Sequence, residues 1–236
     1  MNQQELVLIL FQVIVLMMAF AVHESAHAYV ALRLGDPTAY MLGRVTLNPI
    51  KHMDPFGSVL VPLVALVSSH GAYLFGWAKP CPVTTRNFKH IKRDDILVSL
   101  AGPASNLAMA TGALILLMVL KHAVAGGLAV VASAMAIANH FSGIETDKLP
   151  ALFPLALLLY YTVSLNLLLF VFNLIPIPPL DGSHVLRQFL PYKVEQVYNQ
   201  IGMYGMVLIF FFGGSLIFGT FYYPLLSVYI RALMTL

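Results

Sequence analysis

The chain has 236 residues, of which 59% are hydrophobic and only 10% charged, with a formal net charge of +3. Soluble domains carry nearer a quarter charged residues, and the uninterrupted apolar runs here reach membrane-spanning length, so an ordinary soluble domain is excluded. The basic residues sit mainly in loops, which suits membrane orientation and not nucleic-acid binding, and the single cysteine, Cys81, excludes an internal disulfide.

The N-terminal MNQQELVLILFQ has no basic region, and its apolar run is too long for a signal peptide, so it reads as an uncleaved span. That span is Leu6 to Leu32, interrupted only by Gln12 and the cluster His23, Glu24, Ser25 and His27; about 20 helical residues suffice to cross. Thr38 to Asn48 has β-branched and aromatic residues, a glycine and no helical period, and is expected to form short strands or a hairpin. Ser58 to Gly76 contains Pro62, Gly71 and a polar centre. Ile96 to Leu120 is a second span. Gly126 to Phe141 is short for a crossing. Both Ser58 to Gly76 and Gly126 to Phe141 read as re-entrant or interfacial, with full spans as the alternative. Ala151 to Phe172 is a third span and Met203 to Phe221 a fourth, with Tyr222 to Leu236 continuing it or folding back. The expected fold is an α-helical integral membrane protein: a multi-span helical core with short membrane-embedded strands or re-entrant loops near the active site. It is expected as one domain over 1–236, with the catalytic core at 6–190 and a C-terminal span at 203–236.

Orientation follows from the loops. Lys79 to Asp95 holds Lys79, Arg86, Lys89, Lys92 and Arg93, whereas Lys121 to Lys148 balances two lysines against Glu145 and Asp147. The positive-inside rule places the first of these loops in the cytoplasm, together with the ends of the first and third spans if Ser58 to Gly76 does not cross.

His23-Glu24-Ser25-Ala26-His27 fits H-E-x-x-H. Positions i and i+4 share a helix face, so both imidazoles reach one Zn²⁺, and Glu24 beside them is placed to take a proton from water that zinc acidifies to a pKa of about 7. A shuffled chain of this composition would contain about 0.005 such matches, which sets the false-positive risk of the motif. Two His and a Glu inside an apolar run are also costly without a partner or a task. A catalytic zinc usually has a third protein ligand and an open position. The candidates are His52, His184, Glu145, Glu195 and Asp181. Asp181 follows Pro176, Pro178 and Pro179, which cannot continue a helix, so it sits on an unwound segment of the kind that lines a site at membrane depth. Asp181-Gly182 is equally a common turn pair, and the residues alone leave the two readings even.

H-E-x-x-H at the end of a first apolar helix, followed by Asn173-Leu174-Ile175-Pro176-Ile177-Pro178-Pro179-Leu180-Asp181-Gly182 after a later one, resembles the site-2 protease family of intramembrane metalloproteases. Ala101-Gly102-Pro103-Ala104-Ser105-Asn106 resembles that family's G-P-x-x-N element. Leu47-Asn48-Pro49, His52 to Gly57 and Gly76-Trp77-Ala78-Lys79-Pro80 resemble its short prokaryotic members, without a PDZ or CBS domain. The resemblance implies a three-span core with one Zn²⁺ per chain, His23, His27 and Asp181 as ligands and Glu24 as general base. Asn106 is implied to face the active site, holding the substrate carbonyl or an oxyanion, against the alternative of an interhelical hydrogen bond. Pro103 is expected in the first turn of its helix. Thr38 to Asn48 is the matching candidate for strands that receive an unwound substrate.

The implied activity is hydrolysis of peptide bonds in transmembrane or membrane-anchored protein substrates, in a prokaryotic plasma membrane, multi-pass, with the active site toward the cytoplasm. The expected partners are those substrates, the lipid bilayer and a separate regulatory or adaptor protein, with no nucleic acid. Competing readings are a zinc protease using Glu145 or Glu195 as third ligand, and a zinc-binding membrane transporter or non-catalytic scaffold.

Overall fold

A computed structural model describes residues 3–69, 76–139, 150–208 and 214–236. The regular structure among the described residues is helical, and three helices are long and apolar enough to cross a membrane. These are α1 (Gln3–Arg33), α4 (Ile91–Ala123) and α6 (Phe153–Asn173), with the short α2 (Thr38–Met41) and α3 (Val61–Ser68) between the first two. α5 (Gly127–Ala138), α7 (Asp181–Arg187), α8 (Tyr192–Leu208), α9 (Gly214–Ile217) and α10 (Tyr223–Thr235) complete the chain.

α1 is rich in Leu, Met, Ala and Gln, which propagate a helix at little cost. Its buried stripe, Ile9, Gln12, Leu16, Ala19, His23, His27 and Ala31, follows the three-to-four spacing of one helix face. Ala19, Ala28 and Ala31 on α1, Ala110 on α4 and Ala156 on α6 are fully buried. Small residues let membrane helices approach closely, which replaces the hydrophobic driving force that lipid does not supply. Gln12 Nε2 donates to the Tyr161 hydroxyl at 3.2 Å, tying α1 to α6 inside the bundle. The main apolar core lies where α4, α5, α6 and α10 meet.

Two sequence expectations change, and a third falls partly outside the described residues. Thr38 to Asn48 contains no strand. Asp36 Oδ1 accepts from the Thr38 N–H at 3.1 Å and from its hydroxyl, which starts a helical turn where β-propensity favoured extension. Gly43, at φ +67°, then reverses the chain, and Arg44 N–H closes it on Ala39 O at 2.9 Å. Pro103 lies inside α4 and not in its first turn. The helix begins at Ile91, where Asp94 accepts from the His90 N–H at 2.9 Å, and it continues through the proline to Ala123. Met203 to Phe221 includes residues outside the described set. After it α10 packs on α4, with Lys121 Nζ donating to Leu233 O at 2.9 Å.

The segment 58–76 begins and ends at one place. Trp77 N–H donates to Gly57 O at 3.0 Å, Ser58 Oγ to Trp77 O at 2.7 Å and Lys79 N–H to His52 O at 2.9 Å. A Cβ on Gly76 would lie 2.6 Å from Gly57 O, so glycine is needed for this approach. The two ends of this segment are therefore held together, and residues 70–75 lie outside the described residues. In the described part of Gly126 to Phe141, α5 turns back tightly from α4, and Asn139 Nδ2 donates to the Tyr160 hydroxyl of α6 at 2.9 Å.

Candidate metal centre

His23 and His27 share one face of α1, and their Nε2 atoms are 3.1 Å apart. Asp181, the first residue of α7, brings Oδ2 to 3.1 Å from His23 Nε2 and 3.3 Å from His27 Nε2. Among the described residues this is the one group of three or more His, Cys, Asp or Glu side chains close enough to hold a metal ion. Both histidines are buried and Asp181 is mostly so.

The chemistry of the donor set fits zinc. His27 Nδ1 lies 2.7 Å from Val98 O, an acceptor only, so Nδ1 carries the proton and Nε2 of the neutral ring presents a lone pair. A lone pair, a second imidazole nitrogen and a buried carboxylate oxygen then face one another, and Asp181 Oδ2 has no hydrogen-bond donor. A cation resolves that arrangement. The triangle edges of 3.1 to 3.3 Å match the roughly 3.3 Å between ligand atoms of a tetrahedral site with bonds of about 2.0 Å.

α4 forms the wall behind the pair. A Cβ on Gly102 would lie 2.3 Å from His27 Nε2 and 2.5 Å from His23 Cε1, so only glycine leaves room there. One turn on, Asn106 is fully buried. Its Nδ2 is 3.2 Å from His23 Nδ1, and its Oδ1 has no partner. The two amide atoms are interchangeable by a flip. With Oδ1 toward the ring, it accepts from His23 Nδ1–H, and His23 Nε2 joins the triangle as a lone pair. Asn106 thus meets a histidine on another helix.

On Asp181's side, Gly182 packs against the carbonyls of Leu174 and Ile175. A Cβ there would lie 2.4 Å from Leu174 O, so the Asp-Gly pair is both turn and support. Glu24 follows His23 on α1, and its Oε2 accepts the Cys81 backbone N–H at 2.7 Å. The Cys81 thiol, pushed up to about 12 by burial and by the Glu24 charge, stays protonated.

The other candidate ligands lie elsewhere. His52 is buried, with Nε2 at 2.8 Å from Thr46 O in its own loop. His184 sits beside Arg187, and burial with that charge holds its pKa below the ordinary value. Glu195 pairs with Arg187 at 3.8 Å, and Glu145 is outside the described residues. Gly102 stood in the sequence only as part of a motif, and the Cys81 contact carried no signal, since a backbone N–H is independent of side-chain identity. An apolar groove of about 490 Å³ runs between Val22, Ser25, Ala26 and Tyr29 of α1 and residues Val45 to Leu47. At 100° per residue those positions turn away from Glu24.

The model of peptidase family M50 matches residues 11–213. YwhC of Bacillus subtilis strain 168, provisionally named a zinc metalloprotease, is 41% identical over 198 residues, covering 84% of this chain and 77% of that protein. Rip2 of Mycolicibacterium smegmatis, with the same provisional description, is 30% identical over 193 residues; the match spans 82% of this chain and 62% of the relative's length. No solved structure matches the chain. With the family model spanning most of the sequence and a helical fold with no strand among its described residues, the chain belongs to peptidase family M50, the site-2 proteases, and is a zinc metalloprotease.

Proposed function

We propose that this protein is an intramembrane endopeptidase. It hydrolyses peptide bonds of transmembrane or membrane-anchored proteins, with one zinc held by His23 Nε2, His27 Nε2 and Asp181 Oδ2 and with Glu24 as general base. The observation that carries the reading is the convergence of three ligand atoms inside a bundle of membrane-length apolar helices. When bound, zinc supplies Lewis acidity that polarises a carbonyl and acidifies water. Glu24 takes a proton from the attacking water and delivers it to the leaving amine nitrogen, as a carboxylate fixed at one oxygen by the Cys81 N–H is placed to do. The Val98 carbonyl and the Asn106 amide hold the two imidazoles with Nε2 toward the metal, the usual task of groups that bond the far nitrogen of a ligand histidine. The site lies at the cytoplasmic end of a multi-pass protein in a prokaryotic plasma membrane.

A proteomic comparison of membranes carrying wild-type protein or Glu24→Gln tests the activity. Gln keeps the shape but does not accept the proton at neutral pH, so the expected result is at least one membrane-protein fragment present with wild type and absent with Glu24→Gln. Identical fragment sets, with both forms loaded with zinc, would contradict the assignment.

A further inference from the structure

Asp181 stands at the start of α7, and no rigid helix leads to it. Pro176, Pro178 and Pro179 separate it from α6, and α7 has no side-chain N-cap. α7 instead packs on α4. At that contact Asp95, 3% exposed, turns Oδ2 toward the far end of α7, where it accepts from Arg187 Nη2 at 3.3 Å and from Gln188 Nε2. A carboxylate this buried persists only where charge and donors converge on it. Here both donors come from the end of the helix that begins with Asp181.

We propose that Asp95 is the positioning residue of the third metal ligand: by gripping Arg187 and Gln188 it fixes the tilt of α7 and so aims the Asp181 carboxylate at His23 and His27. This rests on the reading of those three residues as zinc ligands. The lever is short and stiff. Seven residues span about 10 Å, so a tilt of about 10° moves the Asp181 end by about 2 Å, against a tolerance of about 0.2 Å in a ligand bond. α4 then sets all three ligands, through Val98 for His27, Asn106 for His23 and Asp95 for Asp181.

Asp94 supplies the control. It is equally buried, but it accepts from the His90 N–H at 2.9 Å and Arg93 Nε at 2.9 Å within its own turn, and none of its hydrogen bonds or ion pairs reaches α7. The full chain is purified in detergent micelles, its zinc affinity is read by chelator competition, and the cobalt-substituted form is read by its d–d absorption. Asp95→Asn is expected to bind zinc 10- to 100-fold more weakly and to shift the cobalt bands. Asp94→Asn should keep wild-type affinity and bands even where its thermal midpoint falls. Gln188→Met, which removes one donor and leaves both carboxylates, should weaken zinc in the same direction and serves if Asp95→Asn does not fold. Wild-type affinity and bands in Asp95→Asn or in Gln188→Met would overturn the proposal, as would an equal loss in Asp94→Asn. A wild-type protein that binds no zinc would remove the underlying reading instead, and the same titration reports it.

Discussion

Two imidazole nitrogens and one carboxylate oxygen within 3.3 Å of one another form a set that only a cation or a proton makes stable at this burial. Gly102 tests how tightly α4 closes on it. In Gly102→Ala the new methyl meets His27 Nε2 at 2.3 Å. The expected result is destabilisation by about 1–3 kcal/mol from overpacking, together with loss of most bound zinc, measured by elemental analysis and thermal unfolding. Wild-type zinc content in this variant would mean that the histidines do not lie against α4 as described. The placement of His23 and His27 on one face was legible because a helix converts spacing directly into geometry. Asp181 was a turn or a ligand on its own chemistry, and only resemblance to a family motif raised it. Asp95 and Cys81 act on α7 and on Glu24 through contacts between positions far apart in sequence. No local pattern encodes such contacts.

At the scale of elements, the long spans were readable from apolar length, and the short connection after α1 was not. Thr38 to Asn48 has strand-forming residues, but Asp36 overrides them. Fully buried, its carboxylate accepts from Thr38, from the Thr84 N–H at 2.7 Å and from Asn87 Nδ2 at 2.7 Å, knotting the end of α1 to the segment before α4. Burial alone would raise its pKa, but these hydrogen bonds outweigh it and hold the carboxyl below its ordinary 3.8. The sign follows: the ionised form is favoured in the fold, so its stabilisation is fully present above the unfolded value and is lost as pH falls through the lower folded value. Asp36→Asn should therefore lower stability by about 1–3 kcal/mol at pH 7. The gap from wild type should close as pH drops below 3.8. Thermal unfolding of the metal-free proteins in micelles measures both, and a gap independent of pH would show that the charge of Asp36 is not what ties this knot.

Across the whole molecule, the metal centre lies at one end of the bundle, where α1 and α6 finish and α4 begins. The hydrogen bonds joining Gly57 and Ser58 to Trp77 hold both ends of the segment 58–76 at that end, so Arg33, Lys79, Arg86, Lys89, Lys92 and Arg93 share it. The proposed cytoplasmic orientation of the site rests on the positive-inside rule applied to these residues. In a Cys81→Ser background, Lys92→Cys at the exposed start of α4 should be labelled by an impermeant thiol reagent only in inside-out vesicles. Labelling from the outer face would invert the topology. The positions of the three long spans were readable because lipid demands long apolar helices. How α7 is held was not, because its partners come from other parts of the chain. The most direct test of the whole account is zinc stoichiometry in the purified protein. It predicts about one zinc per chain in wild type and in Glu24→Gln, and almost none in His23→Ala, His27→Ala or Asp181→Ala, since three protein ligands are the usual set for a catalytic site. Full zinc retention in Asp181→Ala, with loss in Glu195→Ala, would contradict it.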